Sequence, residues 1–167
     1  SSIAVHPDET VWFATRGGGV RHFTPTLGAG SWEIFTTTHG LANNVVNDVA
    51  IDRDGFIWFA TGGGGVSQLT NTGWHTYTTL NGLSNQYVNT VTASPDGSLW
   101  FGTPNWFNRG GVSHYVPGAV PPWTRFTPTN GLPDAEVLAI AIAPDHSPWV
   151  TPWSYGFSHY LSATTTW

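Results

Sequence analysis

Residues 45–69, VVNDVAIDRDGFIWFATGGGGVSQL, read as strand, turn, strand, turn and the start of a third strand. Asp54-Gly55 supplies a residue pair that tolerates positive φ in a tight hairpin, between the apolar run VVNDVAI and the aromatic run FIWFAT. The glycines 62–65 let the backbone reverse again before Val66, and WHTYT at residues 74–78 supplies a fourth short strand. Four such strands make an antiparallel meander that cannot bury both of its faces alone. Copies of the unit are therefore expected, and the chain contains them.

The tryptophans of the second strands, Trp12, Trp58, Trp100 and Trp149, recur at intervals of 46, 42 and 49 residues. Those of the fourth strands, Trp32, Trp74, Trp123 and Trp167, recur at 42, 49 and 44. A period of about 40 to 50 residues is that of propeller blades. The expected fold is all-β: a β-propeller of four-stranded antiparallel blades, at approximately 2–37, 45–79, 87–128 and 136–167, with the fourth incomplete. Inner strands are placed at Ile3–Val5, Val46–Ile51, Val88–Ala93 and Val137–Ile142. The four second-strand tryptophans are expected to pack between adjacent blades. The linkers HGLANNVV, NGLSNQYV and NGLPDAEV carry the chain from one outer strand to the next inner strand. Units one and four lack Asp-Gly at the first hairpin, having His6-Pro7-Asp8-Glu9 and Asp145-His146-Ser147, which predicts another turn type there.

Composition supports a turn-rich, strand-rich chain. Charged residues are 9% of the 167, aromatics 14% with ten Trp, and there are 20 Gly and 12 Pro. Five Arg, no Lys and ten acidic residues leave a net charge of -5 and no basic stripe for nucleic acid. Without Cys, disulfides, thiolate metal sites and cysteine nucleophiles are excluded, while the compartment stays open. No apolar run of about 18 residues is present to span a bilayer. The opening SSIAVHPDE has no signal-peptide pattern, so the chain reads as a mature or trimmed product. So few charges imply that part of the surface is covered by something else.

The pattern Asp-Gly-x-(Ile/Leu)-Trp-Phe-(Ala/Gly)-Thr, then Gly-Gly-Val-Ser, then Asn-Gly-Leu resembles the two-component regulator propeller repeat, and more distantly streptogramin lyase-type propellers. In unit two it is carried by Asp54, Gly55, Trp58, Phe59, Thr61, Gly65, Val66, Ser67, Trp74, Tyr77, Asn81, Gly82 and Leu83. That repeat occurs in sensor ectodomains and extracytoplasmic proteins. The resemblance implies a periplasmic, cell-surface or secreted location.

Residues that recur once per unit read as architecture. His22, His114 and His159 share one third-strand position, where unit two has Gln68, and no His-x-His or His-Glu-x-x-His pattern is present. No metal site, cofactor or catalytic residue is assigned. Asp8, Asp54, Asp96 and Asp145 read as turn aspartates whose carboxylates accept backbone N–H bonds. The glycine runs precede strands, whereas a phosphate loop needs a helix.

Residues that break the repeat are the candidate site. Between second and third strands, unit one has Arg16, unit three Trp106, Asn108 and Arg109, and unit four Trp153 and Tyr155; unit two has only glycine. In a propeller this loop shares a face with the linkers, and such side chains suit a saccharide-like ligand or a protein partner. The expected function is a non-catalytic extracytoplasmic module binding through that loop face. One alternative is a structural subunit of a larger assembly, another a lyase-type enzyme; the lyases use clustered His and Glu, whereas Glu9, Glu33 and Glu136 all lie more than two residues from any histidine. With four blades, the chain is expected to be part of a longer chain or of an oligomer that completes the propeller.

Overall fold

The structure is a computed structural model that describes residues 2–25, 29–105, 110–153, 156–161 and 166–167. Four antiparallel sheets follow one another along the chain, each a meander whose strands pair in sequence order. Blade one is β1 (Ile3–Val5), β2 (Val11–Ala14), β3 (Val20–Thr24) and β4 (Ser31–Phe35). Blade two is β5 (Val46–Ile51), β6 (Ile57–Thr61), β7 (Val66–Thr70) and β8 (Gly73–Tyr77). Blade three is β9 (Thr90–Ala93), β10 (Leu99–Thr103), β11 (Gly111–Tyr115) and β12 (Trp123–Phe126). Blade four has β13 (Val137–Ile142), β14 (Pro148–Pro152) and the short β15 (Ser158–His159), followed by a single bridge between Leu161 and Thr166. Among the described residues no helix is long and apolar enough to cross a membrane.

Each blade has a forward face, toward the next blade, and a rear face, toward the preceding one. Register assigns them: Ala50, Trp58 and Gln68 are cross-strand partners on one face, Val49, Phe59 and Ser67 on the other. The forward tryptophans meet the rear aromatics of the following blade, Trp12 with Phe59 at 5.8 Å, Trp58 with Phe101 at 5.8 Å and Trp100 with Tyr160 at 5.9 Å. Outer-strand tryptophans reach back the other way, Trp74 to Phe35, Trp123 to Tyr77 and Trp167 to Phe126, at 5.7, 5.6 and 5.5 Å. The three apolar clusters among the described residues are these three joints.

Polar bonds pin the two joints of blade three at the inner strands. Asn47 Nδ2 donates to the Val88 carbonyl (2.8 Å), and Asn89 Nδ2 to that of Val137 (2.9 Å). Asp48 Oδ2 accepts from the Thr90 hydroxyl and the Val91 amide. The linker motif has a packing reason as well. A Cβ on Gly82, at φ +127°, would lie 2.5 Å from Trp123, and the next residue, Leu83, is fully buried in the joint. Glycine lets the next blade's tryptophan lie on the chain while leucine plugs the core beneath it.

The strands depart from expectation at three points. β9 begins at Thr90 instead of Val88. Trp149 is 38% exposed, whereas Trp12, Trp58 and Trp100, each facing a following blade, are 5%, 1% and 4%. The first hairpins do not differ in turn type. Glu9, Gly55, Gly97 and His146 occupy one position, all with positive φ (73°, 82°, 90° and 67°) and all bonding back three residues to His6, Asp52, Ser94 and Ala143. Units one and four keep the turn and place a side chain in the left-handed region, at a conformational cost.

Glu9→Gly and His146→Gly are therefore expected to raise stability by about 1 kcal/mol each in denaturant titration. Trp58→Ala is expected to cost about 3 to 5 kcal/mol and Trp149→Ala less than half as much. Equal losses would contradict the assignment of Trp149 to an uncovered face.

Candidate functional site

The loop face is assembled by backbone bonds between second-to-third-strand loops and linkers. Gly17 and Gly19 amides donate to the Asn44 carbonyl, Gly62 to Val45 and Gly65 to Gln86. Buried serines lock the linkers from below: the Ala42 amide donates to Ser67 Oγ and the Ser84 amide to Ser113 Oγ, each at 2.9 Å. Of the side chains expected at this rim, Arg16 is exposed and its backbone bridges to Val45, while Trp153 is 69% exposed and its amide donates to the Glu136 carbonyl. These two occupy the same loop in blades one and four. Trp106, Asn108, Arg109 and Tyr155 lie outside the described residues.

A cleft of about 740 Å³ opens on this face beside blade three. Its walls include Ser84, Asn105, Gly110, Arg125, Thr127 and Asn130. Asn105 Oδ1 is buried and has no hydrogen-bond partner among the described residues. Arg125 is exposed, and its backbone carbonyl accepts from Asn130 Nδ2 (2.9 Å). Arg125 pairs across to Ser113, the register position held by Ile34 in blade one and Thr76 in blade two. A repeat-breaking arginine in an outer strand was thus a readable signal that inspection of the loops alone passes over. Asn105 adjoins residues 106–109, so the cleft and the expected rim are contiguous in the chain.

The opposite ends of the blades hold the recurring His and Asp residues, and their roles are structural. Each histidine stacks on the forward tryptophan of its own blade: His22 on Trp12, His114 on Trp100 and His159 on Trp149, at 4.0, 3.8 and 4.2 Å. Asp8, Asp96 and Asp145 each accept the amide and hydroxyl of the residue two positions on, Thr10, Ser98 and Ser147. The Thr10 hydroxyl and then its amide hold the Asp8 carboxyl down to about 2. In unit two this work falls to Asp52, which accepts the Asp54 and Phe56 amides and Trp58 Nε1, while Asp54 itself is exposed.

Two groupings resemble catalytic ones and were invisible in sequence spacing. Cross-strand pairing sets His22 Nδ1 3.1 Å from Glu33 Oε2, though eleven residues separate them. In blade four, Ser147 Oγ lies 2.5 Å from Asp145 and 2.6 Å from His159 Nε2. Here the serine sits between acid and imidazole. Its single proton goes to the carboxylate and its lone pair receives the ring N–H, so the imidazole does not act as its base. No group of three or more His, Asp or Glu converges on a metal-sized point among the described residues.

With this geometry in view, the comparisons with known proteins are informative about fold. The family model described as two component regulator propeller matches residues 40–63 and 82–105. No curated protein matches the sequence. The extracellular domain assigned to a hybrid two component system of B. thetaiotaomicron superimposes with a TM-score of 0.82 at 22% identity, over 98% of this chain and 22% of that one. Virginiamycin B lyase of Staphylococcus aureus gives 0.66 at 19%, over 95% and 54%. PorZ, a surface component of the type-IX secretion system of Porphyromonas gingivalis, gives 0.74 at 17%, over 97% and 25%. The chain spans about a fifth to a half of the length of these solved chains. It is a β-propeller, two stretches of which match the two component regulator propeller model.

Burial pushes the His114 imidazole down to about 4 from an ordinary 6.5, against an opposing pull from Asp96. The unfolded chain takes up that proton first, so the contribution is complete above pH 6.5 and is lost as pH falls from there toward 4. The slope is at most about 1.4 kcal/mol per pH unit. His114→Gln, which installs the residue of blade two, is expected to flatten the fall in stability between pH 6.5 and 4.5, measured by urea midpoints. An unchanged slope would remove His114 as its source.

Proposed function

We propose that the chain is a non-catalytic, extracytoplasmic propeller module whose loop face takes up a polar, saccharide-like ligand. The observation that carries this reading is the cleft of about 740 Å³, within the range of about 300 to 1,000 Å³ typical of small-molecule sites. Its walls suit hydroxyl groups. The Arg125 guanidinium donates, the unpartnered Asn105 Oδ1 accepts, and Thr127 and Asn130 can do both. Trp106, Asn108 and Arg109, which follow Asn105 directly, would supply an aromatic face and further donors. Trp153 and Tyr155 come from the equivalent loop of the next blade. The likeness to the extracellular domain of a two component system supports the location outside the cytoplasm.

Calorimetry against neutral and acidic oligosaccharides tests the proposal. Arg125→Ala, Asn105→Ala and Trp106→Ala are each expected to weaken binding by roughly 1 to 3 kcal/mol while leaving the melting temperature within a few degrees. A bound sugar whose affinity none of the three changes would move the site away from this cleft.

A further inference from the structure

One wall of the loop-face cleft carries a charge, and nothing in the fold balances it. Among the described residues that line the cleft, Arg125 is the only charged side chain, while Ser84, Asn105, Thr127, Thr129 and Asn130 are neutral. Arg125 has no ion-pair partner among the described residues, whereas Arg53 lies 3.8 Å from the carboxylate of Asp54. Its place is set by the sheet. Arg125 is the cross-strand partner of Ser113, so both side chains stand on one face of blade three, and Ser113 Oγ accepts the amide of Ser84, another wall of the cleft, at 2.9 Å.

The joint between blades one and two has the same serine lock without the charge. There the Ala42 amide donates to Ser67 Oγ, and Ser67 stands opposite Thr76 where Ser113 stands opposite Arg125. On the linkers, Leu80 occupies the position that Thr129 holds in the next unit. A residue needed for packing at the joint would recur with the joint. Arg125 and Thr129 do not, so the fold has no use for a guanidinium and a hydroxyl at these places.

The distribution of acidic residues points the same way. Asp8, Glu9, Asp52, Asp54, Asp96 and Asp145, six of the ten, belong to the first hairpins at the opposite ends of the blades. The loop side has Arg16 and Arg125 against Asp134 and Glu136, and the Asp134 carboxylate accepts the Glu136 amide at 2.9 Å. Arg109 follows in the loop sequence of blade three. Although the chain has a net charge of -5, the repulsion it exerts on an anion is therefore weakest at the face that holds the cleft.

We infer, on the reading that the cleft takes up a saccharide, that the sugar is an acidic one: a uronic-acid unit whose carboxylate lies on the Arg125 guanidinium while its hydroxyls meet Thr127, Thr129 and Asn105. The planar fork of a guanidinium matches a carboxylate with two parallel N–H···O bonds. One guanidinium balances one carboxylate. A phosphate or a multiply sulfated sugar brings further negative charge, for which the described walls hold no second cation.

Calorimetry with matched pairs tests this: oligosaccharides of galacturonic, glucuronic and mannuronic acid, each beside its own methyl ester, which keeps the sugar and removes the charge. The wild-type chain is expected to bind an acid about 5- to 10-fold more tightly than its ester at low salt, the scale of a charge-assisted pair at a partly exposed site. That gap is expected to narrow as salt is raised. Arg125→Gln is expected to bring acid and ester to equal affinity and Arg125→Glu to put the ester ahead, with melting temperatures confirming that both variants are folded. An ester bound as tightly as its acid, a sulfated oligosaccharide bound more tightly than any uronate, or an acid preference that Arg125→Gln does not reduce would each overturn the inference and leave the saccharide reading standing. Binding of no sugar of either kind would overturn both.

Discussion

A four-stranded meander of this length has two sheet faces and can cover neither with its own residues, and the organisation of the molecule follows from that constraint. Each joint solves it for half of two blades at once. A forward tryptophan enters the following blade, an outer tryptophan reaches back, and a linker leucine closes the gap between them. The large buried area of the indoles explains why tryptophan recurs at the second-strand and outer-strand positions of the joints. Asparagine and aspartate on the inner strands then hold blade three in register with the blades on either side of it.

Because packing repeats, chemistry at a repeated position is constrained to serve packing. The histidines of blades one, three and four are ring partners for indoles before they are titrating groups, and burial keeps His114 neutral over the ordinary range. The turn aspartates are committed to neighbouring amides and hydroxyls. Functional freedom is left to positions the joints do not use, which are the loop face and the outer strands beside it. Arg125 and Asn105 stand there, and so do the residues that depart from the repeat.

The turn positions show how far local sequence carries. Asp54-Gly55 was legible as a hairpin, and the chain adopts it. The same turn at Glu9 and His146 was not legible, since a single residue's preference against positive φ is overridden by strand pairing on either side. Trp149 gives the converse case: by sequence it equals Trp58, and only the tertiary structure separates the two, 38% exposed against 1%.

What the sequence determined by itself was the period, and with it the blade, the joint residues and the architectural role of everything that recurs. Period is a local property, written in the spacing of tryptophans and glycines. What the tertiary structure decided was which of four equivalent residues are covered, which outer-strand and loop residues share the cleft around Arg125, and that His22 meets Glu33 across a strand pair. Those facts depend on neighbours brought together through register and blade order, between residues whose separation along the chain carries no sign of their contact.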